Sequence, residues 1–143
     1  MTLPDSAREL LESDALAHVV TINQDGSPQV SCVWVGLDGE EIVAAHLDRE
    51  QRKLQNLRRD PRVCLTVEGS GANAVGMRDY LIIHGRARLE EGGAAELLQQ
   101  LAHTYVGPNA RFPPMDDPPP GVVSRITVER IGGHGPWAAK SSS

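Results

Sequence analysis

Six short runs of apolar residues, rich in Val, Ile and Ala, recur along the chain and are separated by turn residues. They cover residues 15–23, 28–37, 40–47, 62–69, 80–90 and 122–132. Asp25-Gly26 and Asp38-Gly39 separate the first three runs, and Asp-Gly pairs are typical of tight turns between antiparallel strands. Gly85, inside the fifth run, predicts a bulge or a close backbone approach. Short strands in this order predict a small closed or nearly closed antiparallel barrel.

Three segments outside the runs have helical patterns: residues 6–13, the basic segment after the third run, and residues 92–106. Asp60-Pro61 ends the second of them, because proline cannot continue a helix. A Gly-rich loop over 69–79 and a Pro-rich loop over 107–121 remain. We interpret the stiff Pro-rich loop as a strap across a neighbouring subunit.

The composition fits one domain whose core is built from aliphatic side chains, since 40% of the 143 residues are apolar and only 3% are aromatic. We predict a single domain over residues 1–132 and a flexible tail over 133–143, in which Trp137 is either a loose end or a lid over a pocket. The net charge of −5 argues against a nucleic-acid partner. No membrane span and no signal peptide are visible, so a cytoplasmic protein is expected.

The residues that most often carry chemistry show no catalytic or metal-binding pattern. Cys32 and Cys64 lie in strand-like runs, and we interpret them as two reduced, buried thiols. Trp34 alternates with valines and is expected to pack in the core. The histidines are scattered without the spacing of metal ligands, and no nucleophile stands beside a base and an acidic partner. We therefore predict no metal and no catalytic side chain.

Residues 49–63, REQRKLQNLRRDPRV, hold six of the fourteen Lys and Arg residues of this acidic chain. Asp48 is expected to cap a helix here, with Gln51 completing a capping box. Leu54 and Leu57 share one face of that helix, which predicts that this face packs on the core.

The cations of this segment fall at the start of the predicted helix. Arg49, Arg52 and Lys53 would occupy its first two turns, where the helix dipole disfavours positive charge. A bound phosphate would relieve that repulsion, since backbone N–H groups and cationic side chains would converge on it. A solvated helix with ion pairs four residues apart is the alternative, and the charges alone leave both open.

The ordered segments DGSPQVSCVWV, RKLQNL and RRDPRV resemble the flavin-binding split-barrel proteins, the pyridoxamine 5'-phosphate oxidase-like family. The resemblance runs from about residue 6 to 131. It implies a mainly β fold with flanking helices, a six-stranded antiparallel split β-barrel of the FMN-binding split-barrel type. It also implies a homodimer with two cofactor sites at the subunit interface. Within the family, the chain is most similar to the branch that uses the 5-deazaflavin coenzyme F420 in place of FMN.

Eight residues match positions that contact the cofactor in that family. By this resemblance, Arg52 and Lys53 hold the phosphate, and the ring edge is lined by Gln29, Ser31, Cys32 and Val33. His46 occupies the position where many members have a Thr or Ser that bonds the ribityl chain or the phosphate. Tyr80 lies near the ring of the cofactor bound across the dimer. The loop after His46 is one residue longer than in the family pattern.

The resemblance implies an oxidoreductase in which reduced F420 gives a hydride to a small electron-poor substrate. The cofactor carries out the chemistry, so no protein nucleophile is needed. An FMN-dependent oxidoreductase of the same fold and a non-catalytic flavin carrier stay open as alternatives. An enzyme predicts an open apolar face over the ring, whereas a carrier predicts a covered ring. The motifs that bind pyridoxal phosphate in the true oxidases are absent, so vitamin B6 chemistry is not expected.

Overall fold

The computed structural model describes residues 1–138, which form three helices and seven strands. The helices are α1 (Asp5–Leu11), α2 (Arg52–Arg59) and α3 (Ala94–Tyr105). The strands are β1 (Ala17–Ile22), β2 (Pro28–Val33), β3 (Gly36–Asp38), β4 (Glu41–His46), β5 (Arg62–Glu68), β6 (Tyr80–Glu91) and β7 (Val122–His134). None of the helices within these residues has the length and apolar character needed to cross a membrane.

The strands form one antiparallel sheet in the order β2-β1-β5-β6-β7-β4-β3. The prediction of six strands is wrong by one, because the run over residues 28–37 divides into β2 and β3. The division follows from a distant contact: the Val35 backbone N–H donates a hydrogen bond to the Tyr105 hydroxyl at 3.1 Å instead of to a neighbouring strand. Within residues 1–138, β2 and β3 are the two ends of the sheet and do not pair with each other, so strand pairing does not close the predicted barrel.

The core lies on one side of this sheet and is built from aliphatic side chains, as predicted. Leu65, Leu81 and Ile83 are fully buried there and Leu57 of α2 packs with them, while Leu54 of α2 is also fully buried. Gly85 marks the predicted bulge, since the pairing of β6 with β7 shifts between His84 and Gly85. A Cβ on Gly85 would lie 2.3 Å from the Thr127 carbonyl oxygen, so the close backbone approach is confirmed as well.

The two cysteines are free and neither is buried, which corrects the prediction of two buried thiols. Ser31 and Val33, the neighbours of Cys32, face inward on β2, and Cys32 therefore faces outward and is exposed, while Cys64 is half-buried. The period-two alternation of side chains in a strand accounts for this difference.

The C-terminal part of the described chain is more ordered than the predicted tail over 133–143. Strand β7 continues past Ile131 to His134, and Trp137 is 8% exposed and packs against the core. Trp137 is therefore not a loose end. The last part of that tail, 139–143, lies outside the described residues.

Candidate functional site

A groove of about 370 Å³ lies where the ends of β2 and β4 meet the start of α2 and the Pro-rich loop. We call it the Lys53 groove; its lining residues are Leu16, Cys32, Val33, Trp34, Ala45, His46, Leu47, Gln51, Lys53, Leu98 and Phe112. Lys53 and His46 lie close enough to interact and form its polar end, whereas the rings of Trp34 and Phe112 contact each other and form its apolar end. Such a shape fits a ligand with an anionic end and a flat apolar end.

A larger cavity of about 710 Å³, between α1 and the Gly-rich loop, is the less suitable site for an anion. Its lining includes the carboxylates of Glu9, Asp14, Glu68 and Asp79 against the single guanidinium of Arg78. An excess of negative charge repels a phosphate, so the smaller Lys53 groove is the candidate for an anionic cofactor.

Lys53 is the central cation of the groove. Its Nζ lies 3.5 Å from Ser31 Oγ, a long contact, and among residues 1–138 no carboxylate lies within salt-bridge distance of it. Burial lowers the pKa of Lys53 from its ordinary value. A half-buried ammonium group without an ionic partner is costly, and a bound anion would offset that cost.

The helix that carries Lys53 begins later than predicted. α2 starts at Arg52, its N-cap residue Gln51 makes no capping bond from its side chain, and the predicted capping box is therefore wrong. Asp48 instead accepts a hydrogen bond from the Glu50 backbone N–H at 2.9 Å, which forms a turn ahead of the helix. Arg49 thus lies outside α2, where it forms an ion pair with Glu91.

The position of α2 on the sheet is fixed by a buried amide. Asn56 is 1% exposed, and its Nδ2 donates to Thr21 Oγ1 at 3.0 Å and to Asn23 Oδ1 at 2.9 Å. Thr21 Oγ1 in turn donates to Gln29 Oε1 at 3.0 Å. This chain of hydrogen bonds ties α2 to β1 and β2, so it sets where Lys53 meets the groove.

His46 lies at the end of β4 and is 5% exposed. Its Nε2 is 3.0 Å from Ser124 Oγ, and Ser124 Oγ lies 3.4 Å from the Ala44 carbonyl oxygen. Burial, and then the nearby Lys53 ammonium, lower the pKa of His46 to about 3. Neutral His46 carries one proton, on Nε2 if it donates to Ser124 or on Nδ1 if Ser124 donates to it, so Nδ1 either accepts or donates a hydrogen bond.

We expect the buried, neutral His46 to make the fold less stable in acid. Its pKa of about 3 in the folded chain lies below the ordinary 6.5, so the unfolded chain takes up a proton first as the pH falls. This single group should therefore remove about 2 kcal/mol of unfolding free energy between pH 6.5 and pH 5. Urea denaturation at both pH values measures this loss. His46→Gln should flatten the pH dependence of the unfolding free energy, whereas the same substitution at the exposed His103 should not.

The structure brings some of the eight predicted cofactor residues together and leaves others apart. Lys53, Cys32, Val33 and His46 line the Lys53 groove, and Ser31 contacts Lys53 beneath it. Arg52 is exposed at the start of α2, Gln29 is engaged with Thr21, and Tyr80 lies at the start of β6, so these three do not line the groove within one chain.

Sequence reasoning missed Trp34, Gln51, Leu98, Phe112 and Ser124 at this site. The prediction that Trp34 packs in the core is wrong, because Trp34 is half-buried and lines the groove. Phe112 and Leu98 come from the Pro-rich loop and α3, far along the chain from Lys53, so only the tertiary fold brings them to the groove. One signal was available for Phe112, since it is the chain's single Phe and lies in a loop. Ser124 carried no such signal.

Comparisons with solved structures identify proteins that share this fold. The chain resembles a structure described as an F420 reductase, with 24% identity, a TM-score of 0.73 and coverage of 91% of this chain and 98% of that one. It also resembles a conserved hypothetical protein from Mycobacterium tuberculosis (22% identity, TM-score 0.70, 92% and 84% covered). General stress protein 26 from Bacillus anthracis matches at 17% identity, with a TM-score of 0.60 and 88% of each chain covered.

These similarities to solved structures show the shared fold. No curated protein matches the sequence. The sequence model of the pyridoxamine 5'-phosphate oxidase family matches residues 3–135, nearly the whole chain. The chain therefore belongs to the pyridoxamine 5'-phosphate oxidase family.

Proposed function

We propose that the chain is an oxidoreductase that uses reduced coenzyme F420 to transfer a hydride to a small electron-poor substrate. The observation that carries the proposal is the Lys53 ammonium, half-buried at the polar end of an open groove and without a carboxylate partner among residues 1–138. Family membership and the likeness to a structure described as an F420 reductase support it.

The side chains of the groove fit the parts of such a cofactor. When bound, the cofactor supplies the hydride. Lys53 would hold its phosphate, and neutral His46 would form a hydrogen bond with a hydroxyl group through Nδ1. The inner edge of β2, at Ser31 and Val33, would run along the ring. The groove is open to solvent, so a ring bound in it would keep one face accessible to a substrate, which favours an enzyme over a carrier with a covered ring.

An FMN-dependent oxidoreductase is the second candidate, and one observation favours it. A deazaflavin of the F420 type carries a polyglutamate tail beyond its phosphate, and Arg49 is the cation placed to meet that tail. Arg49 already forms an ion pair with Glu91, so its charge is partly neutralised.

A cofactor titration decides between the two candidates. At low ionic strength we expect tighter binding of F420 than of FMN, with a gap that narrows as salt rises and narrows likewise in Arg49→Ala. Exposed charge contacts of this kind contribute only about 0–1 kcal/mol each and are screened by salt. FMN binding more tightly at every salt concentration would favour the second candidate, and haem binding with neither flavin bound would contradict both.

We also propose a homodimer that completes the site. The outer face of the β2-β1-β5-β6 part of the sheet presents Val30, 58% exposed, next to its half-buried strand partner Val20, with the half-buried Ile82 further across the same face on β6. Covering these side chains with a second copy would remove apolar area from water. Tyr80 does not reach the groove within one chain, which is consistent with the expectation that it acts across the dimer.

Light scattering at micromolar concentration should report twice the mass of one chain. Val30→Asp should shift this towards the monomer, because it places a charge in the apolar contact. Val75→Asp is the matched control, since Val75 is also exposed but lies in the Gly-rich loop. A wild-type monomer that binds cofactor at one per chain would contradict the dimer.

A further inference from the structure

The Pro-rich loop over 107–121 contributes a side chain to the Lys53 groove. Phe112, near the middle of this loop, lines the apolar end of the groove and is 37% exposed. It is the only Phe in the sequence. An aromatic side chain left partly open to a groove, in a chain with so few aromatics, offers a flat apolar surface to a ligand.

Gln99 of α3 fixes this part of the loop. Its Oε1 accepts a hydrogen bond from the Phe112 backbone N–H at 2.9 Å, and its Nε2 donates to the Ala110 carbonyl oxygen at 2.7 Å. One side chain therefore satisfies two backbone groups on either side of Arg111. The loop is held on the helix at the point where Phe112 turns towards the groove.

Phe112 extends an aromatic cluster rather than the hydrophobic core. Its ring centroid lies 5.5 Å from that of Trp34, with the planes at 65°, and Trp34 stacks on Tyr105 at 5.4 Å. Three of the five aromatic residues in the sequence thus gather here, and none of the three is among the buried core residues. The core does not account for this clustering.

We propose that Phe112 and Trp34 contact the planar ring of a ligand whose anionic group binds Lys53. Gln99 is the positioning residue that holds Phe112 at the groove. This inference rests on the proposed function and adds to it the wall against which the ring packs. The Pro-rich loop then belongs to the binding site of its own chain, whereas its sequence indicated a strap across a neighbouring subunit.

The test separates the ring from the phosphate with three probes. FMN has both parts, lumiflavin has the ring alone, and ribitol 5-phosphate has the phosphate alone. Phe112→Ala should weaken FMN and lumiflavin binding by about 3- to 10-fold, the range for one aromatic contact, and leave ribitol 5-phosphate binding unchanged. Phe112→Tyr should retain the wild-type affinities. Met115→Ala, in the same loop but outside the groove, is the control.

Gln99→Ala should likewise weaken the binding of FMN and lumiflavin but not of ribitol 5-phosphate. When it is added to Phe112→Ala, it should cause no further loss of affinity. A general loss of structure would instead weaken all three probes and add to the effect of Phe112→Ala. Unchanged lumiflavin affinity in Phe112→Ala, with FMN still bound through Lys53, would overturn this inference and leave the proposed function standing. Failure of the wild type to bind either a flavin or a deazaflavin would overturn both.

Discussion

Replacing Gly121 with alanine is expected to lower the free energy of unfolding by about 2–5 kcal/mol. Gly121 has φ +62°, where L side chains are strained, and it precedes β7 beside the end of β4. A Cβ there would lie 2.4 Å from the His46 carbonyl oxygen and 2.6 Å from Ala94 Cβ. Neither neighbour can rotate away, because one is backbone and the other is a buried helix residue. The backbone at His46 must therefore move, and the Lys53 groove with it.

Gly92 offers a matched control in the same region. Its backbone N–H donates to the Gly121 carbonyl oxygen at 2.8 Å, and its φ is +84°, but a Cβ there would meet nothing within 4 Å. Gly92→Ala should therefore cost only the backbone strain, about 1–2 kcal/mol. Urea denaturation of the two variants measures the difference. Equal losses in both would show that crowding against His46 plays no part.

Replacing Lys53 with alanine is expected to weaken cofactor binding by about 1.5–3 kcal/mol, or about 10- to 150-fold, the range for losing a hydrogen bond to a charged group. The effect should be large because the ammonium is half-buried beside Ser31 and no carboxylate in residues 1–138 pairs with it. Folding should barely change, since the side chain makes one long polar contact. Isothermal titration with F420 and with FMN measures the loss.

Two further variants isolate the charge of Lys53 from its shape. Lys53→Met keeps the apolar stem and should lose as much affinity as Lys53→Ala, whereas Arg58→Ala, an exposed cation at the other end of α2, should lose little. Equal affinities for wild type and Lys53→Ala at matched ionic strength would return the basic segment to the interpretation of a solvated helix.

The sequence predicted the strands and the core face of α2 because both depend on local patterns. Alternation and Asp-Gly turns located the runs, and the spacing of Leu54 and Leu57 identified the buried face. The division of the second run into β2 and β3 was not predictable in this way, since it depends on Tyr105, which lies 70 positions after Val35. The exposure of Cys32 was predictable from the alternation with Ser31 and Val33.

The candidate site was predictable at its anion-binding end and along β2, but not at its aromatic wall. Lys53 and His46 were identified by resemblance to the family, and Lys53 also by an unusual concentration of positive charge in residues 49–63. The burial that keeps His46 neutral, its contact with Ser124, and the arrival of Phe112 at the groove arise from packing between distant segments. No local pattern contains that information.

The most direct test of the central claim is a crystal structure of the chain with F420 bound, at a concentration that saturates the site in solution. Our account predicts that a phosphate oxygen accepts a hydrogen bond from Lys53 Nζ and that the ring lies along β2 towards Trp34. A phosphate bound elsewhere, with Lys53 free of it, would contradict the account.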